Sequence, residues 1–139
     1  MKKNIFIIVT ISILTLFACD KVYINGDLDG MWNLHSVESD GTTIYPEATY
    51  YSFQRHLTQI SKHYDIGLPL RYLGNLRCTG DSVIMWGFYI HPQETHAATP
   101  EELAQFHIYN DTAAFKVNKL NEEMLILQEK ERIYTLYKW

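Results

Sequence analysis

Two cysteines, six histidines and one out-of-place arginine hold most of the chemistry available to this 139-residue chain. Cys19 closes the stretch ILTLFACDKV, where an apolar run meets Asp20 and Lys21, so its thiol stands at the border of a segment suited to a membrane. Cys78 lies on the inward face of a predicted strand. A thiol there is small hydrophobic filling, because a nucleophile needs exposure and a lowered pKa. His91, Glu94, His96, Glu101 and His107 crowd one acidic connection. Imidazoles and carboxylates are transition-metal ligands, but His-x4-His is not the spacing of a zinc site, and a solvated loop with helix-capping acids is the simpler account. Arg55 falls in phase with Phe53 and Leu57. An inward guanidinium would hold a ligand carboxylate or phosphate through its planar fork. The alternatives are a pair with an internal acid, or a packed stem whose head reaches the rim. Asn25-x-Asp27-x-Asp29-Gly30 imitates the front half of a calcium loop, but its twelfth position is Ser36 where a bidentate Glu is needed.

The common catalytic signatures are missing. There is no Gly-x-Ser-x-Gly elbow, His-Glu-x-x-His pair, phosphate loop or Cys-x-x-Cys. The expectation is therefore a protein that is not an enzyme and uses no metal or cofactor.

The first residues carry an address. Met1-Lys2-Lys3-Asn4 precedes an apolar run from Ile5 to Phe17, the positive and apolar regions of a secretory signal. The run is shorter than the roughly 20 apolar residues of a spanning helix. Cleavage after Ala18 as an ordinary signal, and retention as an uncleaved anchor, are both open on these grounds. Leu16-Phe17-Ala18-Cys19 further resembles a bacterial lipobox, with Phe17 bulkier than the usual occupant. The resemblance implies acylation of Cys19 and a protein held to a bacterial membrane, in the cell envelope, without a spanning segment. A Cys19–Cys78 disulfide is the competing use of the two thiols. The expected divisions are a signal at 1–18, a lipid-anchored tether at 19–29 and one domain at 30–139.

Without residues 1–18, Lys+Arg falls from 12 to 10 against 16 Asp+Glu, a formal charge of about −6. That balance gives no footprint for nucleic acid. Ten Tyr, three Trp and six Phe favour strands. Trp32 and Leu34 alternate with polar partners over Met31 to Glu38, and Asp40-Gly41 makes a turn. Tyr50 to Ile60 alternates as one strand with Tyr51, Phe53 and Leu57 on one face. In RYLGNLRCTGDSVIMWGFYI, Gly80-Asp81 fits a two-residue hairpin loop. Its register sets Thr79 opposite Ser82, Cys78 opposite Val83, Leu76 opposite Met85 and Gly74 opposite Gly87. The other face, with Arg77, Ile84, Trp86 and Phe88, is too apolar for water, and the connection Tyr89 to Thr112 is expected to cover it. Thr99, Pro100 and Glu102 predict a capped short helix with Leu103 and Phe106 on its apolar side. Strands follow at about 113–120, 124–129 and 132–139. Seven or eight short antiparallel strands with one helical insertion predict an all-β barrel.

Gly30-Met31-Trp32 resembles the lipocalin Gly-x-Trp, whose Trp closes one barrel end. Tyr51-Ser52-Phe53-Gln54, Gly80-Asp81-Ser82, Glu101-Glu102-Leu103 and FKVNKLNEEMLIL ahead of YTLYKW are similar to the lipocalin-like domains of uncharacterised bacterial lipoproteins. The resemblance implies a lipocalin-like barrel and carries over no catalytic residue. The expected function is binding of a small apolar or amphipathic ligand in a cup lined by Trp32, Tyr51, Phe53, Arg55, Leu57, Tyr72, Leu76 and Met85. The alternative is a filled barrel acting as an envelope protein–protein interaction module. A barrel of about eight strands accommodates either outcome.

Overall fold

The computed structural model describes residues 25–92 and 95–139. The signal region, Cys19 and most of the tether lie outside them, as does Glu94. A 3-10 turn, Gly26–Leu28, leads into β1 (Gly30–Ser39). Then come β2 (Thr42–Ile44), β3 (Thr49–Gln54), β4 (Leu57–Lys62), β5 (Leu70–Thr79) and β6 (Ser82–Ile90). Helix α1 (Pro100–Ala104) precedes β7 (Thr112–Leu120), β8 (Met124–Glu129) and β9 (Arg132–Lys138). All neighbours pair antiparallel, and β1 pairs with β9 from Trp32↔Lys138 to Glu38↔Ile133. That seam closes β1 and β3–β9 into an eight-stranded up-and-down barrel, while β2 adds to the outer half of β1. Closure removes the free edges of the sheet except at short β2.

Alternation explains the core. Trp32, Leu34, Tyr51, Phe53, Ile60, Tyr72, Leu76, Val83, Met85, Phe115, Leu125, Leu127, Tyr134 and Leu136 point inward and are buried in one continuous cluster. Asp40 and Gly41 both take left-handed φ, 52° and 73°, as the tight hairpin between β1 and β2 requires.

Three expectations need correction. Tyr50–Ile60 is a hairpin, not one strand: Gln54 pairs with Leu57, and Arg55-His56 form the turn. Arg55 takes φ 58° with none of the usual Gly, Asn or Asp to signal it. Arg55 and Leu57 are therefore exposed on the outside, and the alternation through Phe53 does not reach them.

The second correction concerns Gly74 and Gly87. The β5–β6 register holds at Thr79↔Ser82, Cys78↔Val83 and Leu76↔Met85, then shifts so that Leu73 pairs with Tyr89. Gly87 takes φ 66°, the left-handed glycine of a bulge. The extra residue turns Phe88 inward, to 4% exposure, away from the Arg77–Trp86 face. Third, the β6–β7 connection does not cover that outer face. It folds over the end of the barrel, where Leu103, Phe106 and Ile108 join the core.

Gly74 makes the bulge possible. A Cβ there would lie 2.8 Å from the Phe88 ring and 3.1 Å from the Trp86 carbonyl oxygen. Gly74→Ala is expected to lower unfolding free energy by about 1–3 kcal/mol through overpacking, measured by urea titration.

Candidate functional site

The chain-entry end of the barrel is sealed by backbone and cation together. Trp32 is fully buried, and its indole Nε1 donates to the Leu28 carbonyl at 2.8 Å. Lys138 continues the inward phase of Tyr134 and Leu136, so its stem lies over the same end. Its Nζ stands 4.2 Å above the Trp32 ring and donates to the carbonyls of Asp27 and Asp29 at 2.8 and 2.6 Å. A Cβ on Gly30 would meet Lys138 Cε and Nζ at 2.9 Å. This accounts for the glycine two residues before the tryptophan. Burial lowers the Lys138 pKa, opposed by the nearby Asp27 and Asp29 charges. Asp29 accepts from the Asn25 side chain at 2.7 Å, and Asn25 donates on to the Arg55 carbonyl at 2.9 Å.

The opposite end is covered by the β6–β7 connection. Thr99 and Glu102 form the expected capping box, at 2.8 and 3.3 Å, and fix α1. The chain then dips inward. Tyr51 OH donates to the Phe106 carbonyl, and Tyr134 OH to the His107 carbonyl at 2.9 Å. Tyr72 meets Phe106 edge-on at 5.6 Å. Burial raises the pKa of Tyr51 and Tyr134, with the Glu129 charge adding to both. Burial and the Glu102 carboxylate push Tyr72 up to about 12. These phenols remain neutral donors throughout the physiological range. Glu129, 5% exposed, accepts from Asn110 at 2.8 Å and faces Arg132 at 3.7 Å. Arg132 lies 4.3 Å over the Tyr109 ring.

Of the residues nominated as a ligand cup, Trp32, Tyr51, Phe53, Tyr72, Leu76 and Met85 do converge inside the barrel. They converge as core. Each is at most 2% exposed, and Met85 Sδ accepts from Thr58 Oγ1 at 3.3 Å. Arg55 and Leu57 stand outside this group.

Cys78 is half-buried against the core, and burial raises its thiol pKa. The histidines do not converge. His96 pairs with Glu102 at 3.2 Å, His107 Nδ1 is 3.2 Å from Tyr109 OH, and no metal-binding cluster forms among the described residues.

Sequence reasoning missed Leu28, Lys138, Ile108, Tyr134 and Glu129. The phase of Tyr134-x-Leu136-x-Lys138 was the available signal for Lys138. Beside the covering segment lies a surface cleft of about 240 Å³, lined by Pro100, Leu103, Ile108, Tyr109, Asn110 and Asp111. Leu103 and Ile108 are core residues beneath it, and the exposed Pro100, Tyr109, Asn110 and Asp111 form its walls and rim.

A closed eight-stranded meander, sealed at one end by a Gly-x-Trp and covered at the other, defines a lipocalin-like barrel. The chain belongs to the lipocalin-like domain family, whose model matches residues 13–139. It is similar in structure to a lipocalin-like protein from Bacteroides uniformis ATCC 8492, at 22% identity and TM-score 0.67, over 82% of this chain and 100% of that one. It is also similar to an uncharacterized protein from Bacteroides eggerthii DSM 20697, at 17% identity and TM-score 0.62, over 81% and 99%. No curated protein matches the chain.

His107 gives the covered end a pH dependence. Burial lowers its pKa below 6.5, and the Lys62 charge adds to this. The folded state thus resists a proton that the unfolded chain accepts. Stability is expected to be full above about pH 6.5 and to decline as pH falls below it, down to the folded-state pKa. His107 takes φ 62°, which asparagine tolerates, so His107→Asn is expected to flatten that slope in urea titrations between pH 7 and 5.

Proposed function

We propose that this protein is a lipoprotein of the bacterial cell envelope, acylated on Cys19, whose barrel end binds a small apolar or amphipathic molecule. The Leu16–Cys19 segment supports the anchoring, and family membership supports the binding. The cleft beside the covering segment carries the choice of site. Entry among Phe53, Leu76 and Met85 would displace buried side chains worth about 1.5–3 kcal/mol each. The cleft instead is open at the surface, walled by Pro100 and Tyr109 with a polar rim, although its 240 Å³ falls below the roughly 300–1,000 Å³ of drug-sized sites. The ligand is accordingly small, with its apolar part against Pro100 and Tyr109 and its polar part at Asn110 and Asp111.

A second reading, the filled barrel as a protein–protein interaction module, is favoured by an outer aromatic band. His35 lies edge-on to Tyr45 at 5.6 Å and Tyr137 at 5.2 Å, and Trp139, 75% exposed, meets Tyr50 edge-on at 5.2 Å.

One preparation tests these statements. In the native host, labelled fatty acid is expected to enter the wild-type chain and not Cys19→Ala. Solvent extracts of the purified wild type are expected to contain a stoichiometric small amphiphile by mass spectrometry. Asp111→Trp, which fills the cleft mouth from an exposed position, is expected to lose it. If neither chain carries a ligand, the binding reading fails and the interaction module takes its place.

A further inference from the structure

We infer that the barrel is seated on the lipid surface by its chain-entry end, with Arg55, Leu57, Leu120 and Trp139 toward the headgroups. This rests on the acylation of Cys19 proposed above. From Asn25 onward the chain is bound into the barrel. Asn25 is tied to Asp29 and to the Arg55 carbonyl, Leu28 is 3% exposed, and Lys138 grips the Asp27 and Asp29 carbonyls. Only five residues lie between Cys19 and Asn25, so the six steps of chain reach at most about 20 Å. The ten-residue strand β5, tilted as barrel strands are, makes the barrel about 25 Å long. The tether is therefore shorter than the barrel, and the far end cannot be turned down onto the membrane.

The meander places three turns at the entry end: Arg55-His56, Gly80-Asp81 and the β7–β8 connection. Around them stand Leu57 at 54%, Leu120 at 36% and Trp139 at 75% exposure. Tryptophan is the residue most at home at headgroup depth.

Charge points the same way. At the entry end Arg55, Arg77, Lys116 and Lys119 offset Asp27, Asp81, Glu122 and Glu123. At the covered end Glu38, Asp40, Glu47, Asp65, Glu101 and Glu131 stand among the acids, against only Lys62, Arg71, Lys130 and Arg132 as bases among the described residues. An anionic surface repels the covered end and tolerates the entry end, within about a Debye length. Seated this way, the cleft beside α1 opens away from the lipid.

The test uses the full acylated chain, reconstituted in vesicles of phosphatidylethanolamine and phosphatidylglycerol doped with a headgroup-nitroxide lipid. Trp86→Phe leaves Trp139 as the exposed reporter, and Trp139→Phe leaves Trp86 on the opposite wall. Buried Trp32 is common to both. Quenching of the Trp86→Phe chain is expected to exceed that of Trp139→Phe at least twofold. Equal quenching, or the reverse order, on a chain whose mass shows acylated Cys19 overturns the seating and leaves the anchor standing. A chain found unacylated overturns the anchoring reading and the seating together.

Discussion

The grip of Lys138 on the entry end holds the architecture together. One ammonium satisfies two carbonyls of the 3-10 turn while resting on the face of Trp32, and the Trp32 indole bonds that same turn. The entry segment and the first strand are thereby fixed to the last strand, which lies far from both in sequence. The β1–β9 pairing beginning at Trp32↔Lys138 is also the seam that makes a sheet into a barrel. Desolvation acts against the partly buried ammonium, and the carbonyl acceptors and ring face compensate it. Glycine at position 30 is the only residue that leaves Lys138 its place.

With the seam closed, the interior is dictated by the count of aromatics. Tyr51, Phe53, Tyr72, Phe115 and Tyr134, with Phe106 entering from the connection, occupy the space that the strands enclose. The phenols of Tyr51 and Tyr134 reach outward to carbonyls of the covering segment, so the core and its cover are coupled through hydrogen bonds as well as packing. Filling of this kind leaves the centre of the barrel to its own side chains. The family's fold fits small-ligand binding in general. In this chain, the side chains first nominated for that role are the ones that fill the barrel.

Much of the fold was legible because its signals are local. The β5–β6 hairpin register follows from Gly80-Asp81, and the helix from Thr99, Pro100 and Glu102, where residue chemistry and backbone demand coincide. The failures share a cause. At Arg55 the backbone adopts a left-handed turn that the residue type does not announce, so alternation was carried through a reversal of direction. At Gly87 one extra residue in a strand reversed the face of Phe88, a change that periodicity cannot register. At Lys138 residue type and phase disagree: a charge suits solvent, but the alternation through Tyr134 and Leu136 points inward. The nominated site was therefore legible as a cluster, but a cluster of inward aromatics does not distinguish lining from filling. That difference depends on how closely side chains from opposite walls approach, which no local pattern encodes.

The central claim is that the barrel is filled by its own side chains. Xenon pressurisation of crystals of the protein tests it most directly, since xenon enters apolar voids that water leaves empty. The account predicts no xenon among Phe53, Leu76 and Met85. Ordered xenon at that position would contradict it and restore the interior as the ligand site.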